Sequence, residues 1–278
     1  MMKLVLFDKD GHVKTGKNDY DEERHPLSVE GKKHIHISTQ DLIYEKGDYF
    51  QLDLAEENKY LFVQLNQTLA PSLIYVKDNQ WRYDIPLEDN WKESIPEKSF
   101  KGKRHYISIR EAKPFEIEAY QNLSLNTHDL KDETGAYPHA SANVETRNDS
   151  TFFAKNAIDG VYANTSHGSY PYQSWGINQQ DDAELKIDFG RTVEIDEVEV
   201  TLRADFPHDN YWIKGTIQFS DGEETTLQFI KTKDPQSFSI EKKQTEWLIL
   251  KNLIKSDESS SPFPALTQLA AFGRNLQR

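Results

Sequence analysis

Cysteine is absent from this chain of 278 residues, which removes disulfides and thiolate metal sites and leaves the fold without any need for an oxidising compartment. Long apolar runs are missing too. No stretch is long and apolar enough to span a bilayer, and Met1-Met2-Lys3-Leu4-Val5-Leu6-Phe7 is too short an apolar opening for a signal h-region before Asp8 interrupts it. As written the chain is expected in the cytoplasm, or outside the cell if a leader has been removed. Basic residues are the minority: 33 Lys and Arg against 46 Asp and Glu give a formal charge of −13. Phosphate backbones and anionic lipid attract clustered Lys and Arg, so neither nucleic acid nor membrane is an expected partner. Aromatic residues, by contrast, make up 12% of the chain, which separates it from disordered sequences. The length leaves room for two domains with separate cores.

Short β-type runs dominate the N-terminal part, at residues 3–7, 34–38, 49–54, 60–65, 73–76, 81–85 and 106–109. In Tyr49-Phe50-Gln51-Leu52-Asp53-Leu54 the residues Phe50, Leu52 and Leu54 share one face and Gln51 and Asp53 the other, the alternation of a half-buried strand. The same logic sets Leu61, Val63 and Leu65 against Gln64 and Asn66. Asp78-Asn79 supplies turn residues between two runs, which predicts a hairpin of 73–76 with 81–85. Farther on, Asp221-Gly222 predicts a hairpin of 217–220 with 225–229. The parity change from Val193 and Ile195 to Val198, Val200 and Leu202 predicts a bulge at Asp196-Glu197. Trp247, flanked by Leu248-Ile249-Leu250, is expected in a core strand. The fold class is therefore all-β, two β-sandwich domains: 1–120, a connecting segment at 121–136, and 137–278.

Two N-terminal patterns suggest chemistry. Leu4-Val5-Leu6-Phe7-Asp8-Lys9-Asp10-Gly11 resembles the first motif of haloacid-dehalogenase-type phosphatases, in which one carboxylate is the nucleophile and a second, two residues on, the acid and base. Strands follow it rather than alternating helices and strands, so a strand ending in an Asp-Gly turn is the preferred reading. His34-Ile35-His36 places two imidazoles on one strand face, with no third metal ligand evident.

The C-terminal part carries a more specific pattern. Ala140-Ser141-Ala142-Asn143, Asn156-Ala157-Ile158-Asp159-Gly160, Ser174-Trp175-Gly176, Leu185-Lys186-Ile187-Asp188-Phe189-Gly190, Phe219-Ser220-Asp221-Gly222 and Leu269-Ala270-Ala271-Phe272-Gly273 occur in that order. Residues 137–273 resemble a discoidin-like domain, the F5/8 type C or galactose-binding-like class, and within it a bacterial subgroup of carbohydrate-binding modules. The resemblance implies a jelly-roll sandwich that binds sugar and performs no chemistry. It also implies a loop that wraps a structural calcium, enlisting Asp159, Asn164 and Thr165, with Gln268 standing where such modules often add a Glu. Hard oxygen ligands in a flexible loop suit calcium, and an Asp159 that merely caps a turn is the alternative.

A sugar needs a flat apolar face for its C–H side and planar polar groups for its hydroxyls. The loops of this part offer both. Trp175, Tyr211 and Trp212 are the stacking candidates, and Arg203, Asp205, His208 and Asp209 the hydrogen-bonding ones, joined by Glu145, Arg147 and His167. Trp175 also suits the core, and Arg203 also suits an internal pair with Asp205 or Glu145. The function expected is a non-catalytic carbohydrate-binding protein. A glycan-processing hydrolase or lyase using Glu145, His167, His208 and Asp209 is one alternative. A structural docking subunit is another, the N-terminal domain then serving a homo-oligomer or an enzyme partner.

Overall fold

The computed structural model describes residues 1–89 and 91–276. All seven N-terminal runs are strands, and they divide between two antiparallel sheets. One has the order Ser28–Gly31, Met2–Phe7, Tyr49–Leu54, Gln80–Asp84. The other runs Ala136–Tyr137, Ser72–Val76, Lys59–Gln64, His105–Glu111, His34–Thr39. Leu4, Leu6, Phe50, Leu52, Leu61, Val63, Ile107 and Ile109 fill the core between them. The alternation read at 49–54 and at Leu61, Val63 and Leu65 is the one observed. Asn66 is different. It lies beyond the strand end, where parity no longer governs, and its buried side chain accepts from the Thr68 amide at 2.9 Å.

The hairpin expected around Asp78-Asn79 does not form. Ser72–Val76 pairs with Lys59–Gln64, whereas Gln80–Asp84 pairs with Tyr49–Leu54 in the opposite sheet. The turn carries the chain across the sandwich edge, its carbonyls taken by the Asn58 and Leu54 amides. Turn chemistry marks a change of direction and leaves open which sheet receives the chain.

The second unit is built on a sheet of order Gln121–Asn122, Ala265–Asn275, Leu185–Leu202, Gln236–Lys255, Trp212–Phe219, Glu224–Gln228. Its two longest strands bend through register breaks and wrap around one core, the first break lying between Asp188 and Val193 and the second between Ile195 and Glu197. The second break is the bulge the parity change predicts. The hairpin at Asp221-Gly222 also forms, with Gln218 opposite Glu224. Trp247 departs from expectation: Leu248 and Leu250 point into the core, so Trp247 takes the outer parity and lies half-buried under the Lys186 ammonium, 5.6 Å from its ring.

Residues 121–136 are shared between the two cores. Gln121–Asn122 pairs with the last strand, Leu123 packs in the second core, and Leu130 and Ala136 pack in the first. Asp129 accepts from the Ala140 amide at 2.9 Å and meets His139 at 2.8 Å. Across the junction the Arg191 guanidinium lies 5.1 Å from the Tyr60 ring and 5.2 Å from that of Tyr75. Gly190 precedes it with φ +66°, and a Cβ there would sit 2.3 Å from the Tyr137 ring, so both backbone conformation and space demand glycine. No helix among the described residues is long and apolar enough to cross a membrane.

Candidate functional site

A cleft of about 530 Å³ opens at the rim of the C-terminal sandwich. Its floor is the Arg203–Asp209 pair. Arg203 continues from the strand Leu185–Leu202 and is tied down by its amide, which donates to the Ala265 carbonyl at 2.9 Å. Its Nε and Nη2 donate to the two oxygens of Asp209 at 2.8 and 2.5 Å, and Nη2 also reaches the Phe263 carbonyl at 3.1 Å. The Asp205 amide gives Asp209 a third bond at 3.0 Å. Arg203 is 6% exposed and Asp209 1%. A fork-to-fork pair of this kind holds its charges in fixed directions.

Two histidines share one carboxylate at the edge. His167 Nδ1 lies 2.7 Å from Asp205 Oδ2 and His208 Nδ1 3.7 Å from the same atom, with the rings edge-to-face at 6.2 Å. Opposite them Arg147, in the left-handed region at φ 56°, lays its guanidinium 5.2 Å from the Phe152 ring. Phe263 supplies an exposed aromatic surface between Pro262 and Pro264. Its loop is pinned by the buried Asn210, whose Nδ2 lies within bonding distance of the carbonyls of Ser256, Ser259 and Ser261. Gly176 lets the wall close: a Cβ would meet Thr146 Oγ1 at 2.8 Å and the Phe152 ring at 3.0 Å.

Of the ten ligand-site candidates, Arg147, His167, Arg203, His208 and Asp209 line the cleft, and Asp205 bonds His167 and lies near His208. The other four lie elsewhere. Trp175 is fully buried, donates Nε1 to the Val144 carbonyl at 2.9 Å and packs 6.4 Å from Trp212, which is 1% exposed. Tyr211 is 7% exposed in the same core. These three rings fill the interior, where their area is removed from water, and have no face to offer a ligand. Glu145 points away from the cleft and accepts from the Ala154 amide at 2.8 Å, with Lys131 at 3.3 Å. Arg203 thus pairs with Asp209 rather than with Asp205 or Glu145. Phe152, Asn178, Gln179 and Phe263 also line the cleft and were not among the candidates. Pro262-Phe263-Pro264 carried a usable signal, an aromatic held between two residues of fixed φ.

Three of the four proposed calcium ligands, Asp159, Asn164 and Gln268, do not fit the ion, and Thr165 is exposed. Asp159 Oδ1 accepts from the Val161 amide and from Gln268 Nε2, both at 2.8 Å, and Oδ2 from Gln173 Nε2 at 2.6 Å. Gln268 Nε2 also lies 2.7 Å from the Asn156 carbonyl, and its Oε1 is taken by the Gly160 amide. Asn164 turns its Nδ2 to the carbonyls of Leu202 and Lys233, away from Asp159. An amide nitrogen cannot ligate calcium, and here amide nitrogens face the carboxylate that would have to lead the site. Burial pushes the Asp159 carboxyl up to about 6, against the hydrogen bond from Gln173 and the charge of Lys155. Among the described residues, Asp8, Asp10 and His12 form a metal-type group on an exposed turn, where Asp8 Oδ1 already takes the amides of Asp10 and His12 at 2.9 Å. His34 meets Ser108 Oγ at 3.0 Å on an exposed strand face.

No family model and no curated protein matches the chain. Solved structures similar to it include carbohydrate-binding modules. Chitosan-binding module 1, derived from the chitosanase/glucanase of Paenibacillus sp. IK-5, is 15% identical with a TM-score of 0.39, covering 55% of this chain and 99% of that one. The family 32 module of C. perfringens NanJ, solved in complex with galactose, is 18% identical with a TM-score of 0.36, covering 48% and 91%. A Streptococcus pneumoniae fucose binding module is 13% identical with a TM-score of 0.39, covering 56% and 99%. At these values the likeness is similarity alone, and the chemistry of the cleft decides what it can hold.

Proposed function

We propose that the chain is a non-catalytic carbohydrate-binding protein whose receptor is the rim cleft. One observation carries this: an exposed aromatic, Phe263, faces a buried and fully oriented Arg203–Asp209 pair, with His167, His208 and Arg147 around the edge. The apolar face suits the C–H side of a pyranose, and charged donors and acceptors form the stronger bonds to its hydroxyls. Hydrolysis of a glycoside uses two carboxyl groups flanking the bond, one free to give a proton. Asp209 is committed to Arg203 and to the Asp205 amide, Asp205 is shared by two imidazoles, and Glu145 lies outside the cleft.

A glycan-array screen followed by calorimetry tests the proposal. Wild-type protein is expected to bind at least one neutral or acidic glycan and to release no product from it, and Phe263→Ala to weaken binding roughly fivefold to tenfold. Silence across diverse glycans, or turnover of a bound one, overturns it.

A further inference from the structure

The loop that carries His167 reaches across to the other sandwich. The Tyr170 amide donates to the Glu93 carbonyl at 2.7 Å, and Ser169 Oγ donates to Glu93 Oε2 at 2.9 Å. Tyr170 and Ser169 also line a hollow with Leu87, Ile95 and Pro96 of the N-terminal unit. Glu93 is exposed, and the residue after it is buried. Both belong to the short turn Lys92–Ser94, whose Ser94 is 3% exposed and donates to the Trp91 carbonyl at 3.3 Å.

Only Gly168, at φ +111° in the region that favours glycine, separates this anchor from His167. The imidazole is therefore held from two sides: by Asp205 through its Nδ1, and by Glu93 through the two residues that follow the glycine. His167 is about half exposed, so packing alone does not set its direction. A polar group must be held near its bonding geometry before it can discriminate between hydroxyl orientations, and loops need such second supports more than strands do.

We propose that the N-terminal sandwich completes the receptor, with Glu93 a positioning residue that sets the direction of His167 in the cleft. This rests on the carbohydrate-binding reading of that cleft. The two sandwiches then act as one receptor, and the C-terminal unit taken alone would present a looser His167.

The test uses the full chain and three variants, Glu93→Ala, Glu93→Gln and Ser169→Ala, each measured for glycan affinity and for melting temperature. Glu93→Ala and Ser169→Ala are expected to weaken binding about twofold to tenfold, the range of one lost hydrogen bond, with the melting temperature little changed. Glu93→Gln keeps an oxygen acceptor for Ser169 and restores affinity. In a His167→Ala background Glu93→Ala has no further effect, because the residue it positions is gone. Equal losses in both backgrounds, or an unchanged affinity in Glu93→Ala, overturn the proposal. The ligand-free protein gives a separate answer. Glu93→Ala is expected to move the NMR signals of the His167 imidazole, because Ser169 Oγ loses its acceptor while the Tyr170 amide keeps the Glu93 backbone carbonyl. Unmoved imidazole signals overturn the positioning role even if no glycan binds the wild type, an outcome that would by itself sink only the carbohydrate reading.

Discussion

Replacing Asp209 with alanine should be among the most damaging single changes available in the C-terminal sandwich. Asp209 is 1% exposed and its carboxylate takes three N–H donors, two from Arg203 and one from the Asp205 backbone. Without it the Arg203 charge stays buried, with the Phe263 carbonyl as its nearest remaining acceptor and Ser174 Oγ at 3.5 Å. Breaking one side of a buried pair costs about 3–5 kcal/mol. At roughly 2–4 °C per kcal/mol for a unit of this size, the melting temperature falls by about 6–20 °C. Urea unfolding followed by tryptophan fluorescence reads the change, since Trp175 and Trp212 lie in that core. The double variant Arg203→Met/Asp209→Leu removes both charges and is expected to return to within about 1 kcal/mol of wild type or above it, because two apolar side chains need no partner. Its glycan affinity is expected to vanish. A single-variant cost under about 1 kcal/mol would refute the burial assigned to the pair, and a double variant that still binds glycan at wild-type strength would refute its role in recognition.

Two further outcomes follow from charge and donor arrangement. A calcium site filled at a hundredfold excess over its dissociation constant would add about 2.7 kcal/mol to stability, a rise of several degrees. With amide nitrogens facing Asp159, neither a chelator nor added calcium is expected to shift the melting temperature, and a clear calcium-dependent rise would contradict that assignment. In the short helix Pro114–Glu118, a hydrogen bond from Arg110 and a backbone amide hold the Glu116 carboxyl down to about 2. A depressed carboxyl stabilises the fold above its unfolded value of 4.5, and that contribution is lost as pH falls through about 2. Glu116→Gln is expected to flatten the acid limb of a melting-temperature profile over this window, and a limb of unchanged slope would show that the pair does not drive it.

Most strands were legible because one face of each is buried, and burial on one face writes a period of two into the residues themselves. Phe50, Leu52 and Leu54 needed no partner strand to be read, and Asp221-Gly222 announced its hairpin by local backbone preference. Asp78-Asn79 has equally good turn chemistry and no hairpin, since the destination of the next strand depends on contacts outside the segment. The segment 121–136 has little apolar periodicity for a similar reason: Leu123 serves one core and Leu130 the other, so no single face exists to be patterned.

The same limit explains the exchange of aromatics at the site. Whether a Trp stacks on a ligand or fills a core is decided by what stands over it in three dimensions, and Trp212 and Trp175 cover one another. Phe263 stays open because its loop is suspended on the Asn210 side chain, within bonding distance of three carbonyls that lie 46 to 51 residues away in sequence. Arg203, Asp205, His208 and Asp209 could be grouped from the sequence because they lie within seven consecutive positions of one loop, where sequence proximity forces spatial proximity. Phe152, Asn178 and Phe263 join them only through folding. Residues that one loop supplies can therefore be grouped from sequence, while those assembled from several loops, polar Asn178 and apolar Phe152 and Phe263 alike, become visible once the sandwich has brought their ends together.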